Sequence, residues 1–261
     1  MTKVCVVGAL GRMGERVRAA LAEEDGLELA SALEAPGHPG LGSDAGGVAV
    51  VDDAKAALGA ADVAIVFATP EPTLEVLRVA AEAGVRCVVG TTGLSAAQRA
   101  EVEELAARVA IVLAPNFSVA VNVLGELVRR ASELLGDDFD AELVEIHHAA
   151  KRDAPSGTAL WLADAVAEGR RADPARVLER AGDTGPREPG TIGIQTLRGG
   201  DNPGEHSVLF VGQGERLELT HRSATRDHFA RGAVRAALWL ADRQPGLYRI
   251  EQVLGLQRGR C

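Results

Sequence analysis

The chain has 261 residues, ample for two compact domains, and its 46% hydrophobic and 25% charged residues lie near the average for a globular protein, which argues against disorder and a fibrous fold. A formal net charge of -9 speaks against unspecific nucleic-acid binding and leaves small molecules as the expected partners, a local basic pocket still being able to hold an anionic metabolite. No apolar run is long enough to span a bilayer, the chain opens directly on a strand without signal-peptide layout, and Cys5, Cys87 and Cys261 form no Cys-x-x-Cys pair, so a cytoplasmic setting is expected.

In chain order, apolar runs at 4–7, 27–33, 63–67, 87–89 and 110–113 alternate with helical patterns after Gly11, from about Thr73 and behind a Ser95 cap. That rhythm belongs to parallel β-α units. From about Asn122 an amphipathic helix carries Leu124, Leu127, Val128, Ala131, Leu134 and Leu135 at helical spacing, with Gly136 placed to stop it. The pattern then changes. A strand at 142–148, a helix from about Ser156, a charged stretch at 170–190 and strands near 192–197, 207–211 and 217–221 describe an α+β domain with a mainly antiparallel sheet. Its last two strands are joined through Gly212-Gln213-Gly214, as in a hairpin. A closing helix places Phe229, Ala233, Ala236, Ala237 and Leu240 on one stripe and is expected to pack back on the first domain. The expected division is 1–118 with 228–261, and 119–227.

Residues 4–14 read V-C-V-V-G-A-L-G-R-M-G: an apolar strand, then Gly8, Gly11 and Gly14, then a helix-forming run. This G-x-x-G-x-x-G spacing is a variant of the dinucleotide fingerprint of Rossmann-like, doubly wound parallel sheets, in which glycines make a tight turn and let pyrophosphate approach the N–H groups of a helix start. Glycine-rich turns are common without any ligand, but the next strand ends at Glu34, placed to accept hydrogen bonds from the adenosine ribose. Glu34 is followed by Ala35-Pro36-Gly37 with no basic residue to hold a 2′-phosphate, which favours NADH over NADPH; Arg12 in the glycine loop is the side chain that opposes this reading. Gly90-Thr91-Thr92-Gly93 and Ala114-Pro115-Asn116-Phe117-Ser118 also follow strands, at the edge where open α/β sheets bind ligands; each is equally an ordinary capping loop.

The segment E-I-H-H-A-A-K-R-D-A-P-S-G-T-A, residues 145–159, ends a strand, crosses a loop carrying Lys151 and enters a helix at Ser156-Gly157-Thr158. The N–H groups of those three residues are expected to be free at the helix start, a ready carboxylate site, with His148 and Lys151 as further donors. Singly each residue has a structural reading as cap, strand-end histidine or solvated lysine; together they suit a small dianion. Adjacent histidines point to opposite faces of a regular strand, so His147 and His148 touch one ligand only where the strand ends or bulges. Neighbouring histidines without a nearby cysteine lack metal-ligand spacing, and no G-x-S-x-G elbow surrounds Ser156, so neither a metal centre nor a serine hydrolase is expected.

The run H-H-A-A-K-R-D-A-P-S-G-T-A, joined in order by G-A-L-G-R-M-G, G-T-T-G, A-P-N-F-S-V, R-G-G-D-N-P-G-E-H, E-R-L-E-L-T-H and G-A-V-R-A-A-L-W-L, resembles the 4-hydroxy-tetrahydrodipicolinate reductase family over essentially the whole chain. The resemblance implies an NAD(P)H-dependent reduction of a small dicarboxylic cyclic imine in lysine and diaminopimelate synthesis. It also implies a dinucleotide domain closed by the C-terminal helix, a central substrate domain, and a homotetramer joined through the substrate domains. By position, His147 matches the general acid/base, Lys151 the proton donor, and His148, Ser156, Gly157 and Thr158 the holders of the substrate carboxylates. Gly8, Ala9, Leu10, Gly11, Arg12, Met13, Glu34, Gly90, Thr91, Thr92, Pro115, Asn116, Phe117 and Ser118 fall on the cofactor segments. The chain departs from many members at Ala149 and Ala150, at Ala35, and at Val66-Phe67-Ala68. A reductase of a different cyclic imine and a non-catalytic NADH sensor remain alternatives.

Overall fold

In the computed structural model, residues 1–256 are described; residues 257–261 of the expected 228–261 segment, Cys261 among them, lie outside the described residues. The chain divides into two units, Met1–Val119 with Arg226–Cys261, and Ala120–Thr225.

Unit 1 begins with β1 (Thr2–Val7), α1 (Arg12–Ala22), β2 (Leu27–Leu33), β3 (Val50–Val51), α2 (Ala54–Gly59), β4 (Val63–Val66), α3 (Pro70–Ala83), β5 (Arg86–Val89), α4 (Ala96–Ala106) and β6 (Ala110–Leu113). Unit 2 carries α5 (Val119–Leu135, its first residue still in unit 1), β7 (Asp140–His147), α6 (Gly157–Arg170), β8 (Arg176–Val177), β9 (Ile192–Arg198), β10 (Glu205–Val211) and β11 (Arg216–Arg222). The chain then returns to unit 1 with α7 (Asp227–Leu240), β12 (Gly246–Tyr248) and α8 (Ile250–Val253).

The 7-stranded sheet of unit 1 runs β12-β6-β5-β4-β1-β2-β3, and every pairing is parallel. Period-two alternation gives it two buried faces. Val4, Val6, Ile65, Val88 and Val112 pack with α1 and α7 residues on one side; Cys5, Val7, Ala64, Val66, Cys87, Val89 and Ile111 pack under α2, α3 and α4 on the other. Each fully buried valine of this set contributes about 1.5–3 kcal/mol of transfer free energy. The stripe expected on the closing helix is real at Ala233, Ala236, Ala237 and Leu240, all buried in the first of these clusters. Strand order reverses at β1, so the carboxyl ends of β1 and β4 flank the crevice where such sheets take ligands.

Unit 2 holds a 5-stranded sheet ordered β11-β10-β7-β9-β8. It is mixed: β10 pairs antiparallel with β7 and β11, whereas β9 runs parallel to β7 and β8. Antiparallel pairing predominates, as expected, because the β8 ladder is short; β9 lies parallel beside β7 since the long helical and charged connection returns the chain in the same direction. Ala141, Leu143, Ile192, Ile194, Val208 and Phe210 cover one face and pack with α5 and α6 residues such as Leu124, Val128 and Leu162. The opposite face presents Val144, Ile146, Leu197 and Leu209, none of them fully buried.

Several boundaries shift. Helix α3 starts at Pro70, ahead of Thr73, since a proline at the first helical turn has no N–H to leave unsatisfied. Helix α5 starts at Val119, ahead of Asn122. Strand β7 ends at His147, one residue before the expected His148. No described helix is long and apolar enough to cross a membrane.

Candidate active site

In unit 1 the fingerprint loop has the geometry its glycines require. Gly8 sits at φ +75°, and a Cβ there would lie 2.6 Å from the Phe67 carbonyl oxygen; a Cβ on Gly14 would lie 2.0 Å from the Gly8 oxygen. Both contacts are with backbone, so no side-chain movement relieves them. Gly11 caps α1 without a side-chain hydrogen bond, which leaves the first-turn N–H groups of the helix for an anion. Glu34 leaves the end of β2 and is pinned there, its carboxylate accepting from Leu10 N–H at 2.7 Å and Ala35 N–H at 3.3 Å. A carboxylate has further lone pairs, so this anchoring aims Glu34 without exhausting it. Ala9 is buried, Leu10 and Met13 are half-buried, and Arg12 is exposed.

The two later loops divide between scaffold and surface. Thr91 is 5% exposed and its hydroxyl meets that of Thr73 at 2.6 Å. Phe117 is 1% exposed and meets Phe67 edge-on, centroids 6.1 Å apart. Phe67 in turn lies over Gly90, where a Cβ would come within 2.2 Å of the ring. Ser118 is fully buried and its N–H donates to Asn116 Oδ1 at 2.8 Å. The side chains of Thr91, Phe117 and Ser118 are thus built into the unit, while Thr92 and Pro115 are exposed and Asn116 is half-buried.

In unit 2 the inward face of β7 changes character along its length. Ala141 and Leu143 belong to the core; two and four residues further on, Glu145 and His147 occupy the same face. Glu145 is 0% exposed, and its carboxylate accepts from His147 Nδ1 at 2.5 Å, from both Arg198 Nη atoms at 2.8 and 2.9 Å, from Ser156 N–H at 3.0 Å and from Thr196 Oγ1 at 3.2 Å. Burial alone would raise this carboxyl, but the bonds from His147, Arg198 and Ser156 outweigh it and hold Glu145 at about 2. With an ionised acceptor on Nδ1, that nitrogen of His147 carries the hydrogen and Nε2 is left for exchange. Nε2 faces Gly204, at φ +146°, where any Cβ would stand 2.8 Å away.

Across the sheet, β10 places His206 directly opposite Glu145. Its ring meets His147 edge-on at 5.1 Å, Nε2 shares a 3.0 Å hydrogen bond with Ser156 Oγ, and Nδ1 is buried without a partner among the described residues. Burial first, and then the neighbouring His147, push His206 down to about 3, so it is neutral at physiological pH.

One expectation is corrected here. The Ser156 N–H is not free: it donates to Glu145, and Ser156 Oγ caps α6 by accepting from Ala159 N–H at 3.1 Å. Ser156, 2% exposed, precedes the helix rather than starting it, leaving Gly157, exposed, and Thr158, half-buried, at the helix start. Because β7 stops at His147, His148 belongs to the following turn, its N–H donating to Asn202 O at 2.8 Å and its carbonyl accepting from Lys151 N–H at 3.1 Å. Lys151 Nζ pairs with both Asp153 oxygens at 2.8 Å.

Glu145, Arg198 and His206 were assigned no role from sequence. Their signal was present: a Glu-x-His pair at period two on a strand, and an arginine and a histidine bracketing R-G-G-D-N-P-G-E-H. Only the strand register brings those pieces onto one face.

Comparison with known proteins fits this arrangement. The dihydrodipicolinate reductase N-terminus model matches residues 2–117 and the C-terminus model residues 120–254. The chain belongs to the dihydrodipicolinate reductase family. Among relatives of the family, the 4-hydroxy-tetrahydrodipicolinate reductase of Anaeromyxobacter dehalogenans is 50% identical over 270 residues, covering 100% of both chains. That of Geobacter sulfurreducens is 48% identical, covering 98% of this chain and 100% of its own. A solved dihydrodipicolinate reductase from Paenisporosarcina sp. TG-14, with dipicolinate bound, superposes with a TM-score of 0.78 at 25% identity, covering 95% of this chain and 97% of that one. An amine dehydrogenase from Mycobacterium smegmatis, at TM-score 0.64 and 17% identity over 96% of this chain and 95% of its own, shares the fold.

Proposed function

We propose that this chain reduces the cyclic imine formed by loss of water from 4-hydroxy-tetrahydrodipicolinate, yielding tetrahydrodipicolinate with NAD(P)H in diaminopimelate and lysine synthesis. The observation that carries this reading is the buried Glu145–His147 pair beside the Gly157-Thr158 helix start, in a chain that also has the fingerprint loop and Glu34. Unit 1 holds the dinucleotide through Gly8 to Met13, Glu34, Gly90 to Thr92 and 115–118, with Thr91, Phe117 and Ser118 contributing through backbone and shape. Unit 2 holds the substrate.

The reduced nicotinamide, when bound, supplies a hydride to C4 of the conjugated imine. The electron density left at C3 takes a proton, and the groups placed to handle it are Lys151 as donor and His147 as general acid/base. The Nδ1 of His147 is committed to Glu145, so exchange runs through Nε2. Gly157 and Thr158 take a carboxylate at the positive end of α6, an interaction of about 0.3–1 kcal/mol at an exposed helix end and more when shielded. His148 adds a donor, and Ser156 serves by setting the helix start. Dipicolinate bound to the Paenisporosarcina relative supports a ring dicarboxylate as ligand.

NADH is the preferred cofactor in this proposal, since the pinned Glu34 repels a 2′-phosphate and Ala35 offers no cation. The apolar face of half-buried Val144, Ile146 and Leu209 with exposed Leu197 supports a homotetramer joined through unit 2, and the cytoplasm is the proposed location. The test follows NADH and NADPH oxidation with substrate generated in place by the preceding synthase from pyruvate and aspartate semialdehyde. Synthase-dependent oxidation, faster with NADH, is expected. NADH binding without oxidation would move the reading to another cyclic imine or to a sensor, and faster turnover of NADPH would overturn the preference.

A further inference from the structure

Within unit 2 a continuous run of polar contacts joins His147 to Lys151, and Arg198 is its middle. Glu145 accepts from His147 Nδ1 at 2.5 Å and from the Arg198 fork at 2.8 and 2.9 Å. The same guanidinium donates from Nη2 to the Asp153 carbonyl at 2.7 Å and from Nη1 to the Leu197 carbonyl at 2.7 Å. Asp153, in turn, holds Lys151 Nζ with both carboxylate oxygens at 2.8 Å. The register of β9 sets Arg198 directly beside His147, so its fork reaches Glu145 diagonally along the face.

We propose that Arg198 is a positioning residue of the reduction: it fixes in one guanidinium both the carboxylate that orients His147 and the loop that carries Lys151. This rests on the reading of His147 and Lys151 as the proton-handling pair. Arg198 acts through Glu145 and Asp153, with its side chain bonded to neither of that pair.

The chemistry calls for arginine in particular. A planar fork serves two carboxylate oxygens and two carbonyls at once, whereas a lysine ammonium carries charge without that geometry. Arg198 also opposes the negative charge of Glu145. The charged and titratable groups beside His147 are Glu145 on its own strand, Arg198 at its register position on β9, and His206 from β10. Removing Arg198 takes away two of the donors that fix the Glu145 carboxylate, so the acceptor that holds His147 Nδ1 is no longer set in one orientation. It also frees the Asp153 carbonyl, so the Lys151 loop loses its tether.

The test compares Arg198→Met and Arg198→Lys in the full-length enzyme, measuring kcat and KM, the pH profile, the NADH dissociation constant and thermal unfolding, with His147 followed by NMR of its ring nitrogens. Arg198→Met is expected to lower kcat about tenfold to a hundredfold, as loss of charge-assisted bonds does, and to weaken the His147 Nδ1–H signal of the bond to Glu145 while NADH affinity stays within about twofold. Arg198→Lys, which keeps the charge without the fork, is expected to recover only part of that signal and of kcat. If Arg198→Met keeps kcat and the Nδ1–H signal unchanged, the inference is overturned; if that variant does not fold, Arg198→Lys decides alone, and kcat within about twofold of wild type overturns the need for the fork. The ring-nitrogen signal does not depend on turnover. An inactive wild-type protein would therefore refute the reductase reading, while an unchanged signal in the variants would refute the coupling.

Discussion

His206 provides a direct measure of how unit 2 responds to acid. Its ring is 5% exposed and is driven from 6.5 to about 3, mainly by burial. A group depressed in this way stabilises the fold fully above its unfolded value of 6.5, and the contribution is lost as pH falls from there toward 3, because the unfolded chain takes the proton first. At 1.36 kcal/mol per pH unit, going from pH 7 to 5 removes about 2 kcal/mol, and the full interval down to pH 3 about 5 kcal/mol. His206→Gln keeps a polar group for Ser156 but removes the titration. Urea unfolding followed by tryptophan fluorescence at pH 7 and pH 5 is the assay, with Trp161, packed against Gly125, reporting on unit 2. The variant should lose about 2 kcal/mol less than wild type between those pH values. Equal losses in both proteins would show that His206 is protonated in the fold and that the argument from burial is wrong.

Gly14→Ala drives a Cβ into the Gly8 carbonyl oxygen; with a 2.0 Å contact and no mobile side chain to yield, NADH binding measured by fluorescence titration should weaken at least about tenfold. Lys151→Met should lower turnover greatly with NADH affinity nearly intact, and wild-type turnover in that variant would remove Lys151 from the chemistry. If the proposed homotetramer joins through the open face of the second sheet, Val144→Glu, which puts a charge there beside Glu142, should shift the protein to a smaller assembly in sedimentation; an unchanged sedimentation coefficient would refute that face as an assembly contact.

Long periodic elements were readable from the residues alone. Strand β2 occupies the expected 27–33, and the doubly wound sheet follows from apolar runs buried on both faces. What escaped was short or long-range. Strands β3 and β8 have only 2 residues each, too few for a period to show, and β12 pairs with β6 across more than half the chain. The site shows the same division. The Ser156 cap was visible as a helix start, but that its N–H points at Glu145 depends on a contact 11 residues away. Arg198 is 53 residues from Glu145, and nothing local to either residue announces the fork. Glu34 was legible because the fingerprint spacing fixes where a second strand ends, whereas its capture by Leu10 N–H depends on the folded loop.

The division of the chain carries a consequence for how the protein is made. Unit 2 is one uninterrupted stretch, while unit 1 waits for α7, whose Ala230, Ala233, Ala236 and Leu240 complete one of its two apolar clusters. During synthesis the central insert has all its own residues in hand before unit 1 does, and one side of the seven-stranded sheet stays incompletely covered until the ribosome has delivered the final helices. A nascent chain stalled after unit 2 would hold a finished central unit attached to an unfinished, aggregation-prone first unit, the intermediate on which a chaperone would act.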